Sequence, residues 1–327
     1  MNRLKLLLTT YSTAFATSGG GESELVQVAE MLNVSGIHAD IYGIGSRPFS
    51  FYDGIMHFSV HADGDAMLRE ARARSKPIFL WPNVWWNQAP SDMEVSRIAE
   101  LCTGARKLLF KSEAEWRNFR HYVEVPDDKV AIVPACVSER FLAPADRELA
   151  STVCSVSHYA LCLGLIEPVK NQLQLVRALA SLKMDGVFVG GARDDGYHRQ
   201  CVEEAHAGVE FLPFVQPCSA LLRSIIDNCS VLVEVSADPP GRSSLEAAIM
   251  RKPVVVADGP WQREHFGDDA WYAAANSAEA VAQAIRAALT DPERDHKIEA
   301  TYQRMMSRHS AVVMGKKLVE LLETECV

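Results

Sequence analysis

The chain lacks a cysteine pair at C-x-x-C spacing, a long apolar run, an excess of positive charge and any internal repeat. Each absence removes a class of protein. The eight cysteines stand at 102, 136, 154, 162, 201, 218, 229 and 326, mostly within apolar stretches. That scatter reads as reduced core thiols, with no zinc site and no disulfide framework. No apolar run approaches the roughly 18 residues a spanning helix needs. Arg3, Lys5 and Leu6 to Leu8 give way to Thr9, Thr10 and Tyr11 too soon for a signal-peptide core, and no small-x-small site follows. The expected location is therefore the cytoplasm. With 33 Lys and Arg against 42 Asp and Glu, the formal charge is -9, which argues against a nucleic-acid partner gripped by a basic stripe.

What remains is a chain of 327 residues, 48% apolar and 23% charged, long enough for about two globular domains. Apolar strand-like runs alternate with helical stripes. Strands are expected at Leu4 to Thr10, His38 to Tyr42, Gly54 to Val60, Pro77 to Trp81, Lys107 to Phe110 and Val130 to Val133. Between the first two, Leu25, Val28, Ala29 and Leu32 recur at the spacing of a core-facing helix. A polar stretch around Ala143 to Ser157 interrupts the pattern, and the boundary is placed there. Alternation resumes with strands at Tyr159 to Leu165, Gly186 to Gly190, Val209 to Phe214, Val231 to Val235 and Val254 to Ala257. Two tail helices follow, one with Val281, Ala284, Ile285 and Ala288 on a face and one near Ala311 to Glu323. Repeated βα units with short connections predict an α/β fold of two Rossmann-like, doubly wound domains facing a central cleft. The expected bounds are 1–150 for the first domain, 151–300 for the second and 301–327 for a terminal helical segment. Chemistry is expected in the loops after the strands.

Three loops stand out. Gly19-Gly20-Gly21-Glu22 lies between a strand and a helix, where backbone N–H groups can meet a phosphate or a sugar, although a flexible turn explains it equally well. It is not G-x-G-x-x-G, which argues against a dinucleotide enzyme. Gly164-Leu165-Ile166-Glu167-Pro168-Val169-Lys170-Asn171-Gln172 opens the second domain's first helix and places a cation against the dipole, at a cost of about 0.3–1 kcal/mol that a diphosphate would offset. Asp238-Pro239-Pro240-Gly241-Arg242-Ser243-Ser244-Leu245-Glu246 supplies a loop carboxylate, an unobstructed glycine, a helix start and a second carboxylate one turn in. That set suits a sugar hydroxyl, a diphosphate and a ribose. Ser243-x-x-Glu246 also has the form of a capping box, which needs no ligand.

These segments, in this order, resemble the carboxyl-terminal domain of family 4 glycosyltransferases, retaining enzymes of the GT-B fold. Gly164 to Asn171 looks like that family's G-R-L-x-P-x-K-N segment, and Asp238 to Glu246 looks like its E-x7-E motif. Pro253 to Asp258, with Arg263 to Asp268, resembles the segment that follows, and Lys129 to Phe141 extends the match into the first half. The resemblance implies a metal-independent hexosyl transfer from a UDP- or GDP-linked donor, used as substrate with no cofactor. It implies that Lys170 neutralises the diphosphate, Glu246 binds the ribose and Asp238 holds donor-sugar hydroxyls. Gly164, Gly241, Arg242, Ser243 and Ser244 would line the donor, with Gly20 and Gly21 approaching the phosphate from the other domain. The implied acceptor is a glycan or lipid-linked glycan, met in the cytoplasm or at the inner face of the plasma membrane, in cell-surface polysaccharide biosynthesis. The terminal helices would cross back to the first domain. Two positions depart from the pattern. Leu165 replaces an arginine that pairs with the lysine, and Asp238 replaces a glutamate, so Arg242 is the candidate for the missing charge. A non-catalytic partner subunit and a nucleotide-sugar epimerase are the rival readings.

Two further patterns compete. Asp63-Gly64-Asp65 has the D-x-D form of a metal-dependent transferase, but a helical stretch begins at Ala66 and an N-cap role is preferred. His57 and His61 read as strand residues about 13 Å apart, too far to share a metal. Trp81, Trp85 and Trp86 serve equally as core or as stacking surfaces for an acceptor.

Overall fold

The computed structural model describes residues 3–16, 20–239 and 241–326, apart from the side chain of Ala62. The chain forms two units, Met1–Cys136 with Arg308–Val327, and Val137–Ser307. In the first, the apolar runs become β1 (Lys5–Thr9), β2 (His38–Ile41), β3 (Gly54–Phe58), β4 (Ile78–Trp81), β5 (Lys107–Phe110) and β6 (Val130–Ile132). They form one parallel sheet in the order β2-β1-β3-β4-β5-β6. Leu6, Leu7 and Leu8 are all fully buried, as expected of a parallel strand covered on both faces. Helices α1 (Gly20–Val34), α2 (Asp65–Ala73), α3 (Asp92–Thr103) and α4 (Glu113–Arg120) connect the strands. At the start of α4 a capping box forms at Ser112-x-x-Glu115: Ser112 accepts the Glu115 N–H at 2.9 Å and the Glu115 carboxylate accepts the Lys111 N–H.

The second unit repeats the plan with β7 (Ala160–Leu163), α5 (Gln172–Leu182), β8 (Gly186–Val189), α6 (Asp195–Glu204), β9 (Val209–Leu212), α7 (Ala220–Asn228), β10 (Val231–Glu234), α8 (Ser243–Ile249), β11 (Val254–Ala257), α9 (Pro260–Phe266), β12 (Trp271–Ala273) and α10 (Ala278–Thr290). Its parallel sheet runs β12-β11-β10-β7-β8-β9. The three-residue edge strand β12 and the helix α11 (Arg294–His309) were not expected from the pattern. Thr301 and Met305 are buried on a helix otherwise rich in charge, too little to show as a stripe.

The division falls at Cys136/Val137 rather than at 150/151, because the polar stretch packs onto α7. Ala150 N–H donates to Ser224 Oγ at 2.8 Å, and Arg223 donates to the carbonyls of Ala143 and Pro144. At the other end the first unit takes up the chain again at Arg308, not at 301. There α12 (Ala311–Glu325) adds Met314, Leu318 and Leu322 to the core that holds Leu25, Val28 and Leu32 of α1.

Two histidines are sealed inside the first unit. His57 Nδ1 lies 2.7 Å from the Thr9 hydroxyl, and His309 Nδ1–H donates to the Ala135 carbonyl at 2.9 Å. Burial pushes both down to about 4, against the smaller opposing pulls of Asp63 and of the Ala135 carbonyl. Each stays neutral in the fold while its unfolded counterpart takes a proton near pH 6.5, so folding stability is complete above 6.5 and is lost as pH falls from there toward 4. The expected loss is about 2 kcal/mol per histidine at pH 5. Thermal unfolding at pH 7.5 and pH 5 checks it, and His309→Asn should flatten the difference by about half.

Candidate functional site

In the second unit β7, the first strand, lies beside β10, and the order reverses between them. Loops leaving the carboxyl ends of two such strands diverge and leave a ligand site at the switch point. The loop after β7 carries Lys170 and the loop after β10 carries Asp238, and their charged atoms, Nζ and Oδ2, stand 4.0 Å apart.

The β7 loop is held by its backbone. Gly164 has φ +136° and Gly190, after β8, has φ +156°, and a Cβ on Gly190 would sit 2.0 Å from the Gly164 carbonyl oxygen. Only glycine allows that approach. Arg193 reaches back to Glu167 at 3.1 Å, steadying the segment ahead of Lys170. Lys170 ends a short 3-10 turn, Pro168–Lys170, so it precedes α5 rather than lying in its first turn. Asn171 follows in the left-handed region at φ 54°, which asparagine tolerates, and its Nδ2 donates to the Val235 carbonyl at 3.0 Å. Ala237 N–H donates to the Val169 carbonyl at 2.9 Å, so the two loops are sewn together. Leu165 is partly buried and brings no charge.

Beyond Asp238 the chain turns through Gly241, whose missing Cβ faces open space, into the seven-residue α8; Pro240 lies outside the described residues. The capping box at Ser243-x-x-Glu246 does not form. Glu246 N–H bonds the Arg242 carbonyl at 2.7 Å, and the Ser243 hydroxyl donates instead to Glu234 at 2.9 Å. Glu246 is buried, with Arg242 Nε 3.9 Å from its carboxylate. Burial pushes its pKa up and the guanidinium pulls the other way. Arg242 is itself only partly exposed, and its Nη1 makes no hydrogen bond among the described residues. Ser244 is fully buried in α8.

Glu234, the last residue of β10, is a participant that the sequence patterns did not single out. It is buried and accepts the Gly241 N–H at 3.2 Å as well as the Ser243 hydroxyl. Burial raises its pKa, opposed by Lys170, both serines and the Gly241 amide. Its only sequence signal is an acid closing an apolar strand.

The remaining candidates separate. Gly20 and Gly21 begin α1 in the first unit, with nothing within 4 Å of where a Cβ would sit, and Gly19 lies outside the described residues. Asp63 and Asp65 do not cap α2: Asp63 accepts the Ser12 N–H and hydroxyl, while Asp65 pairs with Arg97 at 3.1 Å. His61 packs on Tyr11, apart from the Thr9 contact of His57. Trp81 is core, stacked on Phe58, and Trp86 stacks on Phe119. Among the described residues no three His, Cys, Asp or Glu side chains converge as metal ligands. Six of the eight cysteines are buried, and Cys218 and Cys326 are partly exposed.

Two parallel-sheet units of this topology define the GT-B fold. Residues 157–291 match the family model described as group 1 glycosyl transferases. Among solved structures, Anabaena HepE in complex with UDP and glucose is 15% identical, with a TM-score of 0.81 over 98% of this chain and 100% of that one. Sucrose-phosphate synthase from Thermosynechococcus elongatus is 16% identical, with a TM-score of 0.80 over 98% and 99%. A glycosyltransferase from Rickettsia africae is 16% identical, with a TM-score of 0.78 over 99% of each chain. No curated protein matches the sequence.

The glycine contact yields a direct expectation. Gly190→Ala should destabilise the chain by about 2 kcal/mol or more in denaturant unfolding. Gly191→Ala, whose methyl meets only Leu165 at 3.9 Å, should stay within about 0.5 kcal/mol of the original.

Proposed function

We propose that the protein is a retaining glycosyltransferase that moves a hexosyl group from a UDP- or GDP-linked donor to a glycan or lipid-linked glycan, with no metal ion or resident cofactor. One observation carries the reading: Lys170 and Asp238 meet at the switch point of the second unit, with the buried Glu246 in the helix that follows. The group 1 glycosyl transferase model covers the same unit, and HepE is described in complex with UDP-glucose.

In this reading the Lys170 ammonium meets the charge that develops on the departing diphosphate, which is where a fixed cation lowers a barrier most. Asp238 accepts from donor-sugar hydroxyls, and in the free protein it also keeps Lys170 from standing uncompensated. Glu246 accepts from the ribose hydroxyls. Arg242, whose Nη1 is without a hydrogen bond among the described residues, is the second cation that replaces the arginine absent at Leu165. The open face of Gly241 lets the donor approach the backbone, and Gly164 and Ser244 shape the surrounding loop and helix start. The leaving phosphate takes the acceptor proton, so no side-chain base is required. No described helix is long and apolar enough to cross a membrane. A cytoplasmic setting, with lipid-linked acceptors met at the inner membrane face during cell-surface polysaccharide assembly, belongs to the same proposal. The departures at Leu165 and Asp238 favour one rival, a partner subunit without turnover.

A thermal-shift panel of UDP, GDP, ADP and CDP, with their common sugars, tests the donor site. Ligand at 100 times its dissociation constant should stabilise the fold by about 2.7 kcal/mol. The shift is expected for a uridine or guanosine diphosphate and should vanish in Lys170→Ala and Glu246→Ala. No shift with any nucleotide would favour the partner-subunit reading.

A further inference from the structure

We propose that Glu234 is the positioning residue of the donor loop, holding Asp238 and Arg242 in register with Lys170; the assignment rests on the donor-site reading above. A buried carboxylate is costly unless hydrogen-bonded. Both Glu234 oxygens are satisfied from the motif loop and the helix start, Oε1 by the Gly241 N–H at 3.2 Å and Oε2 by the Ser243 hydroxyl at 2.9 Å.

The loop is pinned on both sides of Asp238. Ahead of it, Val235 is held by the Asn171 amide and Ala237 by the Val169 carbonyl. After it, Gly241 and Ser243 are both held by Glu234. Asp238 and Arg242 are therefore flanked by ties to the loop after β7 on one side and to the end of β10 on the other, and the second tie is made by the Glu234 carboxylate. Two features separate this from ordinary local capping. Ser243 turns away from the amide of Glu246, its helical partner in sequence, to reach Glu234. Lys170 also pulls the Glu234 pKa down against the effect of burial, so the acid that ties the loop is electrostatically linked to the cation. The role is indirect, since Glu234 acts through Asp238 and Arg242 and not on the reacting atoms.

Calorimetric titration of UDP-glucose and UMP into wild type and Glu234→Gln tests this, with GDP-mannose and GMP run alongside. A variant that keeps the size but not the charge of the clamp should lose about tenfold in nucleotide-sugar affinity. Its affinity for the monophosphate, which reaches Glu246 without engaging Asp238, should stay within about twofold. Hydrogen exchange across 235–246 should rise in the same variant. An equal loss for the monophosphate would reduce Glu234 to a general structural part and overturn the proposal. Unchanged or tighter nucleotide-sugar binding, or unaltered exchange, would overturn it as well. Wild type that binds none of the four ligands would overturn the donor-site reading itself, and this assignment with it.

Discussion

The second unit depends on β7 and β10 lying side by side, although roughly 70 residues separate their starts. Right-handed crossovers that run outward from β7 in one direction and from β10 in the other leave the loops after these two strands with no helix between them. The Lys170 segment and the Asp238 segment therefore meet, and Asn171 and Ala237 can hydrogen-bond across the gap. The close approach of Gly164 and Gly190 serves the same end on the β8 side. Without that adjacency the Lys170 loop and the Asp238 loop would not meet.

Charge in this region is arranged in compensated groups. Lys170 stands beside Asp238, Arg242 beside Glu246, and Arg193 beside Glu167. Burying single charges costs several kcal/mol each, which is why the acids come with cations or hydrogen-bond donors. The pairs at Lys170 and Arg242 are loose, at 4.0 and 3.9 Å, longer than a charge-assisted hydrogen bond. Cations held this loosely are available to an incoming anion, whereas the Gly241 amide and Ser243 hydroxyl are committed to Glu234.

Much of the architecture was legible because a parallel strand covered on both faces must be continuously apolar, and such runs are hard to mistake. The strands at Leu4 to Thr10 and Val231 to Val235 each lie within a residue or so of the observed β1 and β10. Elements without that signature escaped. The helix α11 carries mostly polar side chains, and β12 is three residues at a sheet edge. The boundary at 136/137 was hidden because the polar stretch after it is anchored by hydrogen bonds to α7, which leave no hydrophobic trace.

The same division runs through the site. Residue order determined that a lysine, an aspartate and a glutamate would each sit in a strand-to-helix connection or one turn beyond it, because strand periodicity and turn residues are local properties. Which partner each side chain takes was decided by the tertiary structure. Ser243 and Glu246 have the spacing of a capping box, as Ser112 and Glu115 do, yet only the latter pair forms one. Asp63 lies just ahead of α2 and Asp65 opens it, yet their oxygens go to Ser12 and Arg97. In each case a partner brought close by the packing of the sheet takes the side chain from the local one, and a distance across the fold cannot be read from spacing along the chain.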